Sequence, residues 1–252
     1  MRKRDFIYPT LLLLLFAFMT AGGNAIFGYS PPEKHADIEN ETPQPEYEYI
    51  SAYARISDYD GYFRMAADSI GIEWTLIAAI AYTESRFDST AVSGVGARGV
   101  MQMMPVTLRG LEVPDSLHAD NHSNIHASAR YIKQLFNMYR HIKNYDEIIN
   151  FVLASYNAGY GHINDAMRLA RKYGHKHHVW HSSVDSFLIK KSLPEYYTDS
   201  VCRNGKFSDW KQTLSFVNKV KRNWKKFNNR QNEYRDSINA LIATDPLKRI
   251  AF

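Results

Sequence analysis

At 252 residues, 45% of them hydrophobic and 23% charged, the chain holds enough apolar material for one substantial domain. That balance excludes a disordered polymer and a chain that crosses a membrane repeatedly, and the single cysteine, Cys202, excludes an internal disulfide. The net charge of +5 is uneven: residues 1–25 carry +2 and residues 26–50 carry −5, which leaves +8 on residues 51–252.

The first 25 residues have a secretory layout. Arg2, Lys3 and Arg4 precede an apolar run from Leu11 to Ala21, and Gly23 and Ala25 stand where a signal peptidase would cut. The run is short of the roughly twenty residues that span a bilayer as a helix. Residues 1–25 therefore read as a signal peptide, with an uncleaved anchor as the alternative, and the expected location is the periplasm or cell envelope. Residues 26–50 hold four prolines and six acids and read as a flexible linker. A catalytic domain is expected over residues 51–230 and a loose tail over 231–252.

From Ser51 onward the periodicity is helical. Ser57 with Asp60 resembles a capping box, followed by Tyr62, Met65, Ala66 and Ile70 at helical spacing, and Gly71 stops that helix. Trp74 to Glu84 predicts a helix apolar nearly all round, which should be buried. Ser93 to Gly99 is a glycine-rich loop. Further helices are expected from Ser123 through Tyr139, after Asp146 through Tyr156, and through Ile163, Met167 and Ala170 to Gly174. Phe207 to Ile242 is helix-prone as well, and Trp210 and Trp224 are expected as core anchors. No stretch alternates like a strand, so the fold is expected to be mainly α.

Glu84 closes the apolar helix. Desolvation there would raise its pKa, which suits a general acid that must hold a proton near neutrality. By position alone it could equally be a helix-end carboxylate paired with Arg86 or Arg98. Asp88, four residues on, reads as a turn or capping residue rather than a second catalytic acid.

Residues 82–105 read YTESRFDSTAVSGVGARGVMQMMP. The acid followed by Ser85, the small-residue loop and the run Gly99-Val100-Met101-Gln102-Met103-Met104-Pro105 resemble the catalytic segment of lytic transglycosylases of glycoside hydrolase family 23. A second motif of that family, Ala-x-Tyr-Asn-x-Gly, is present as Ala154, Tyr156, Asn157 and Gly159, about seventy residues on. Leu188 to Val201 and Phe216 to Val220 resemble the end of the domain in the membrane-bound lytic murein transglycosylase F group, with Phe216 where a tyrosine is usual.

The resemblance implies a lysozyme-like helical domain of the goose-type lysozyme and soluble lytic transglycosylase kind. It implies that Glu84 is the sole acid/base in cleaving peptidoglycan glycan strands. Ser93 would hydrogen-bond near the scissile bond or an N-acetyl group, Gln102 and Met104 would line sugar subsites, and Gly99 would permit close backbone approach. Tyr156 would orient Glu84 or contact the sugar, and Asn157 would support that corner. The plainer readings are that Ser93 caps a turn, that the methionines fill core, and that the Tyr156 ring merely packs. A goose-type muramidase and a non-catalytic wall-binding module are the rival functions.

No cofactor is expected. The run from His175 to His181 has no ordered ligand set and reads as a polar loop rather than a metal site. The basic residues Lys219, Lys221, Arg222, Lys225, Lys226 and Arg230 read as a solvated face or as an attraction to anionic peptidoglycan or membrane surfaces. Nucleic acid is not expected as a partner, and a monomer is.

Overall fold

The structure, a computed structural model, describes residues 54–244. The expected signal peptide, the linker and the last eight residues lie outside the described residues.

Helix α1 (Asp60–Ile70) begins two residues later than a cap at Ser57 would place it. The Asp60 carboxylate accepts hydrogen bonds from the Ile56 and Ser57 amides at 2.9 Å and from the Ser57 hydroxyl at 2.8 Å. Ser57 Oγ in turn accepts from the Tyr59 amide. The pairing is present, but it folds the turn ahead of the helix: Tyr59, not Ser57, is the cap position, and no side chain caps it. The buried face also differs. Tyr62 and Met65 are 41% and 62% exposed, whereas Phe63, Ala66 and Ala67 go inward. Tyr62 and Met65 fall on a spacing of three with Ala66 one step later, and Phe63 supplies the larger apolar face one position round. Gly71 ends the helix at φ 73°, a left-handed conformation that costs glycine nothing.

Helix α2 (Trp74–Ser85) is the central element, and Leu76 to Ala81 are all buried, as its apolar composition demands. Helix α3 (Pro105–Gly110) starts with proline, whose missing N–H is no loss at a first turn. Helix α4 (Asn121–Tyr139) is capped by Asp120, which accepts the Ser123 amide at 2.7 Å. Ser123, expected as the start, is thus the donor to the cap. Helix α5 (Tyr145–Ala158) is capped by Asn144 through the Glu147 amide. Helix α6 (Tyr160–Lys172) ends just before Gly174. A wide turn at Trp180–Val184 leads into α7 (Asp185–Lys190) and α8 (Pro194–Tyr197), and α9 (Trp210–Thr244) closes the domain.

Helix α2 packs against α1 and α9, and α5 packs against α4, α6 and α9, so α9 bridges the two central helices. Phe216, Val217, Val220 and Phe227 are its buried contacts. Trp210 and Trp224 are half-buried at the core margin. The helix runs unbroken through residue 230, so residues 231–244 continue it, and Gln231 Nε2 donates to the Ala54 carbonyl. Among the described residues there is no named strand, only isolated bridges from Val92 to Arg98 and from Arg98 to Met103. No helix among them is long and apolar enough to cross a membrane.

One core feature was not expected from the sequence. Lys191 is completely buried, and its Nζ donates to Asp165 Oδ2 at 2.6 Å and to the Asn204 carbonyl at 2.7 Å, with His162 Nδ1 at 3.2 Å. Asp165, equally buried, also accepts the Arg203 and Asn204 amides. Burial pushes its pKa up, but the Lys191 hydrogen bond and the two amides outweigh that and hold it below the ordinary value of 3.8. The cluster fastens the 191–204 segment to α6, and every buried charge in it has a partner.

Candidate active site

Glu84 occupies the last turn of α2. The chain then reverses through Arg86 and Phe87, both left-handed at φ 55° and 68°. Two consecutive non-glycine residues there are unusual, and conformations of this kind cost about 1–3 kcal/mol each when held by their surroundings. Phe87 is held by packing against Phe63, Tyr82 and Phe227, and Arg86 donates to the Tyr82 hydroxyl at 2.7 Å. This turn ends the helix immediately behind Glu84 and sends the chain into the glycine-rich loop.

Glu84 is half-buried, and no donor among the described residues meets its carboxylate. Burial alone pushes its pKa up to about 8. The alternative reading, a pairing with Arg86 or Arg98, is not formed, since neither makes an ion pair with it. The neighbouring hydroxyls are committed to structure. Ser85 Oγ donates to the Val100 carbonyl at 2.7 Å, and Thr83 Oγ1 donates to the Ala79 carbonyl and accepts Asn223 Nδ2 at 3.0 Å.

The loop is a tied object rather than an open flap. The Ser93 amide donates to the Ala97 carbonyl, and the Ala97 amide returns the bond to Ser93 Oγ, both at 2.9 Å. Ser93 thus caps a turn, and its hydroxyl hydrogen stays available. Gln102 adopts φ 47°, and its amide nitrogen donates to the Ala91 and Gly99 carbonyls at 2.9 and 3.0 Å. Both of its donors serve the loop, which leaves Oε1 as the acceptor it can offer a sugar. Met101 and Met103 are buried core, whereas Met104 is half-buried at the start of α3.

Gly99 sits at φ 75°, and a Cβ there would lie 3.0 Å from the Asn124 carboxamide. The close approach it permits is therefore to Asn124. That buried side chain accepts the Met101 amide at 3.0 Å and donates to the Arg98 carbonyl at 3.2 Å. Asn124 was missed in the sequence. Its signal was there: Asn124 and Ser128 are polar residues four apart on the inward face of α4, beside Ile125 and Ala129.

Tyr156 comes from the last turn of α5. Its hydroxyl donates to the Met101 carbonyl at 2.9 Å and touches Met103 Sδ at 3.4 Å. Its ring lies parallel to Phe216 of α9, with centroids 6.3 Å apart and planes within 5°. Burial, and then the adjacent Glu84 charge, raise its pKa well above the ordinary value. Hydroxyl and carboxyl therefore share one electrostatic environment. Asn157 instead turns toward α9, where Oδ1 accepts Thr213 Oγ1 at 2.9 Å.

Asp88 is exposed and accepts the Thr90 hydroxyl and amide at 2.7 and 2.8 Å. Those bonds lower its pKa and mark it as a turn residue. In the His175–His181 run, His175 packs edge-on to Phe187 and the His177 and His178 rings meet at right angles. Trp180 within it is fully buried, and its amide donates to Glu147 Oε2 at 2.7 Å, so the run anchors a loop to α5.

Comparison with known proteins shows what the chain is similar to. Residues 61–179 match the family described as Transglycosylase SLT domain. The chain is 36% identical over 148 residues to membrane-bound lytic murein transglycosylase F of Desulfosudis oleivorans, covering 59% of this chain and 32% of that protein. It is 38% identical over 167 residues to membrane-bound lytic murein transglycosylase F 1 of Alkalilimnicola ehrlichii, covering 66% and 33%. The chain thus spans a third of the length of these relatives. Among solved structures it is similar to the 70 kDa soluble lytic transglycosylase of Escherichia coli, at 19% identity, over 77% of this chain and 26% of that one, with a TM-score of 0.48.

Proposed function

We propose, from the match of residues 61–179 to the family described as Transglycosylase SLT domain, that the chain is a peptidoglycan lytic transglycosylase that uses Glu84 alone as acid and base. It cleaves the β-1,4 bond between N-acetylmuramic acid and N-acetylglucosamine without water. The observation that carries this reading is the Glu84 carboxyl, pushed to about 8 by burial and therefore protonated at neutral pH.

In the first step Glu84 gives its proton to the glycosidic oxygen while the substrate's N-acetyl group stabilises the positive charge growing at the muramic C1. In the second, the Glu84 carboxylate takes the proton of the muramic C6 hydroxyl. The C6 oxygen closes on C1 as a 1,6-anhydro ring, and Glu84 ends protonated as it began. Hydrolysing glycosidases typically need a second carboxylate to activate water or attack the sugar. The commitment of Asp88 to Thr90 supports the single-acid scheme.

Ser93, through its free hydroxyl hydrogen, Gln102, through Oε1, and Met104 serve the sugar subsites in this reading. Gly99 and Asn157 act behind them, through Asn124 and Thr213. The lysozyme-like assignment of the fold, a periplasmic or cell-envelope location and a peripheral association with the membrane belong to the same proposal. The names of the relatives support the envelope location.

Mass spectrometry of purified peptidoglycan digested with the wild-type chain and with Glu84→Gln tests it. Anhydro-muramic ends from the wild type and none from the variant are expected. Reducing ends in their place would identify a muramidase, and undiminished lysis by Glu84→Gln would remove Glu84 from the chemistry.

A further inference from the structure

Helix α9 carries Lys211, Lys219, Lys221, Arg222, Lys225, Lys226 and Arg230 between Trp210 and Asn232, with no acidic residue in that span. Lys221 is spoken for by Asn150 Oδ1 at 2.9 Å. Lys219, Arg222 and Lys226 are exposed and form no ion pair with any described residue. Spacings of three and four place these three in one stripe along the helix.

The position of the stripe is informative. Lys219 lies three residues after Phe216, which stacks on Tyr156, and four before Asn223, which bonds Thr83 next to Glu84. The stripe therefore borders the row of α9 residues that walls the active site. Burial is the sole cause of the Glu84 shift, so these cations stand too far off to ionise the carboxyl.

We propose that Lys219, Arg222 and Lys226 form a rim that holds the carboxylates of peptide stems on the glycan strand, so that the enzyme prefers stem-bearing strands to bare ones. The inference rests on the proposed function and specifies its substrate. A bare glycan backbone carries a single lactyl carboxylate on each muramic residue, next to the sugar ring, and that group is an amide where a stem is attached. The stems carry free carboxylates at each muramic residue, the regular anionic partner that a row of unpaired cations fits. Exposed pairs of this kind are individually weak, so the preference comes from several acting together and fades as salt rises.

The test compares the full chain with a Lys219→Gln/Arg222→Gln/Lys226→Gln variant. Substrates are stem-bearing peptidoglycan strands and the same strands stripped of stems by an amidase, which keep one lactyl carboxylate per muramic residue but lose the several carboxylates of each stem. At low ionic strength the ratio of kcat/KM between the two should fall by about ten-fold in the variant, mainly through KM, as a few exposed ion pairs together would produce. The wild-type ratio should fall likewise as salt is added. An unchanged ratio, or equal losses on both substrates, overturns the proposal.

Co-sedimentation of Glu84→Gln protein, with and without the three substitutions, gives a second readout that needs no turnover. Binding that fails to distinguish stem-bearing from stripped strands overturns the proposal. So does binding that moves with the substitutions only on phosphatidylglycerol vesicles, which would assign the stripe to a lipid surface. Failure of the catalytic reading would appear separately, as the absence of anhydro ends from wild-type digests.

Discussion

The Tyr156 hydroxyl donates to the Met101 carbonyl at 2.9 Å, and that bond joins the end of α5 to the loop that follows Glu84. Three ties converge on residues 98–103: Tyr156 on Met101, Ser85 on Val100, and Asn124 on Met101 and Arg98. Each comes from a different helix, so the geometry around Glu84 is set by the mutual docking of α2, α4 and α5. A site held by several rigid elements is preorganised for chemistry in a way that a free loop is not.

Removing the Tyr156 hydroxyl tests the first tie. In Tyr156→Phe the ring keeps its parallel packing on Phe216, while the Met101 carbonyl loses its donor. A neutral hydrogen bond of this kind contributes about 0.5–1.5 kcal/mol, so denaturant unfolding should show a loss of that size. The kcat should fall further than stability does, because the hydroxyl also lies in the electrostatic surroundings of Glu84. A fall in stability with an unaltered kcat would make Tyr156 purely structural.

The raised Glu84 pKa has two signs to check. As a general acid it must be protonated, so kcat/KM should hold below about pH 8 and decline as pH rises through it. For stability, the folded chain keeps a proton that the unfolded chain releases above the ordinary value of 4.5. Between 4.5 and about 8 the unfolded state therefore binds fewer protons, and stability falls as pH rises. Glu84→Gln removes that term, so its melting temperature should exceed the wild type's at pH 8 by more than at pH 4. Thermal melts at the two pH values read this directly, and an equal gap would contradict the burial argument.

The Asn124 tie makes a sharper case. Asn124→Ala would leave the Met101 amide and the Arg98 carbonyl without their partner, and an orphaned buried polar group costs about 1–3 kcal/mol. Gly99→Ala would press a Cβ to 3.0 Å from the same side chain and force alanine into φ 75°. Each substitution should lower the melting temperature and activity. In the double variant, Asn124→Ala should partly relieve Gly99→Ala, because the clash partner is gone. Strict additivity of the two losses in a mutant cycle would mean that the two residues do not meet.

These ties explain how much could be read from the chain alone. Helix positions followed from apolar periodicity, and Glu84 from a carboxylate closing a helix whose Leu76–Ala81 stretch had to be buried. Side-chain direction did not follow. Gln102 and Ser93 have the right chemistry for sugars, yet their hydrogen bonds turn back into their own loop, a choice set by backbone conformations such as φ 47° at Gln102. The α1 face was misread by one position, since Tyr62 and Met65 are as apolar by type as Phe63. The Lys191–Asp165 pair was invisible because its members are 26 residues apart and nothing local marks a lysine as buried.

That pair supports the last prediction. Lys191 and Asp165 are each fully buried, 2.6 Å apart, and the remaining polar atoms around them are engaged by His162, Arg203, Asn204 and Arg168, whose guanidinium pairs with Asp165 Oδ1. Removing the Asp165 charge strands Lys191, at a cost of about 3–5 kcal/mol, whereas removing Lys191 leaves Asp165 still paired with Arg168. Asp165→Asn should destabilise to that extent in denaturant unfolding, and Lys191→Met by less, because Arg168 remains beside Asp165. The combination Lys191→Met/Asp165→Leu should be less damaging than the sum of its parts, since no fully buried charge is left alone and Arg168, 27% exposed, keeps access to solvent. The pH sign also follows. Asp165 is held below 3.8, so its contribution is present above that value and is lost as pH falls through the folded-state pKa. Wild type should therefore lose stability steeply in acid below pH 4, and the double variant, already lacking the pair, should show a shallower decline. An identical acid profile for both would mean that the pair contributes nothing to holding the 191–204 segment on α6.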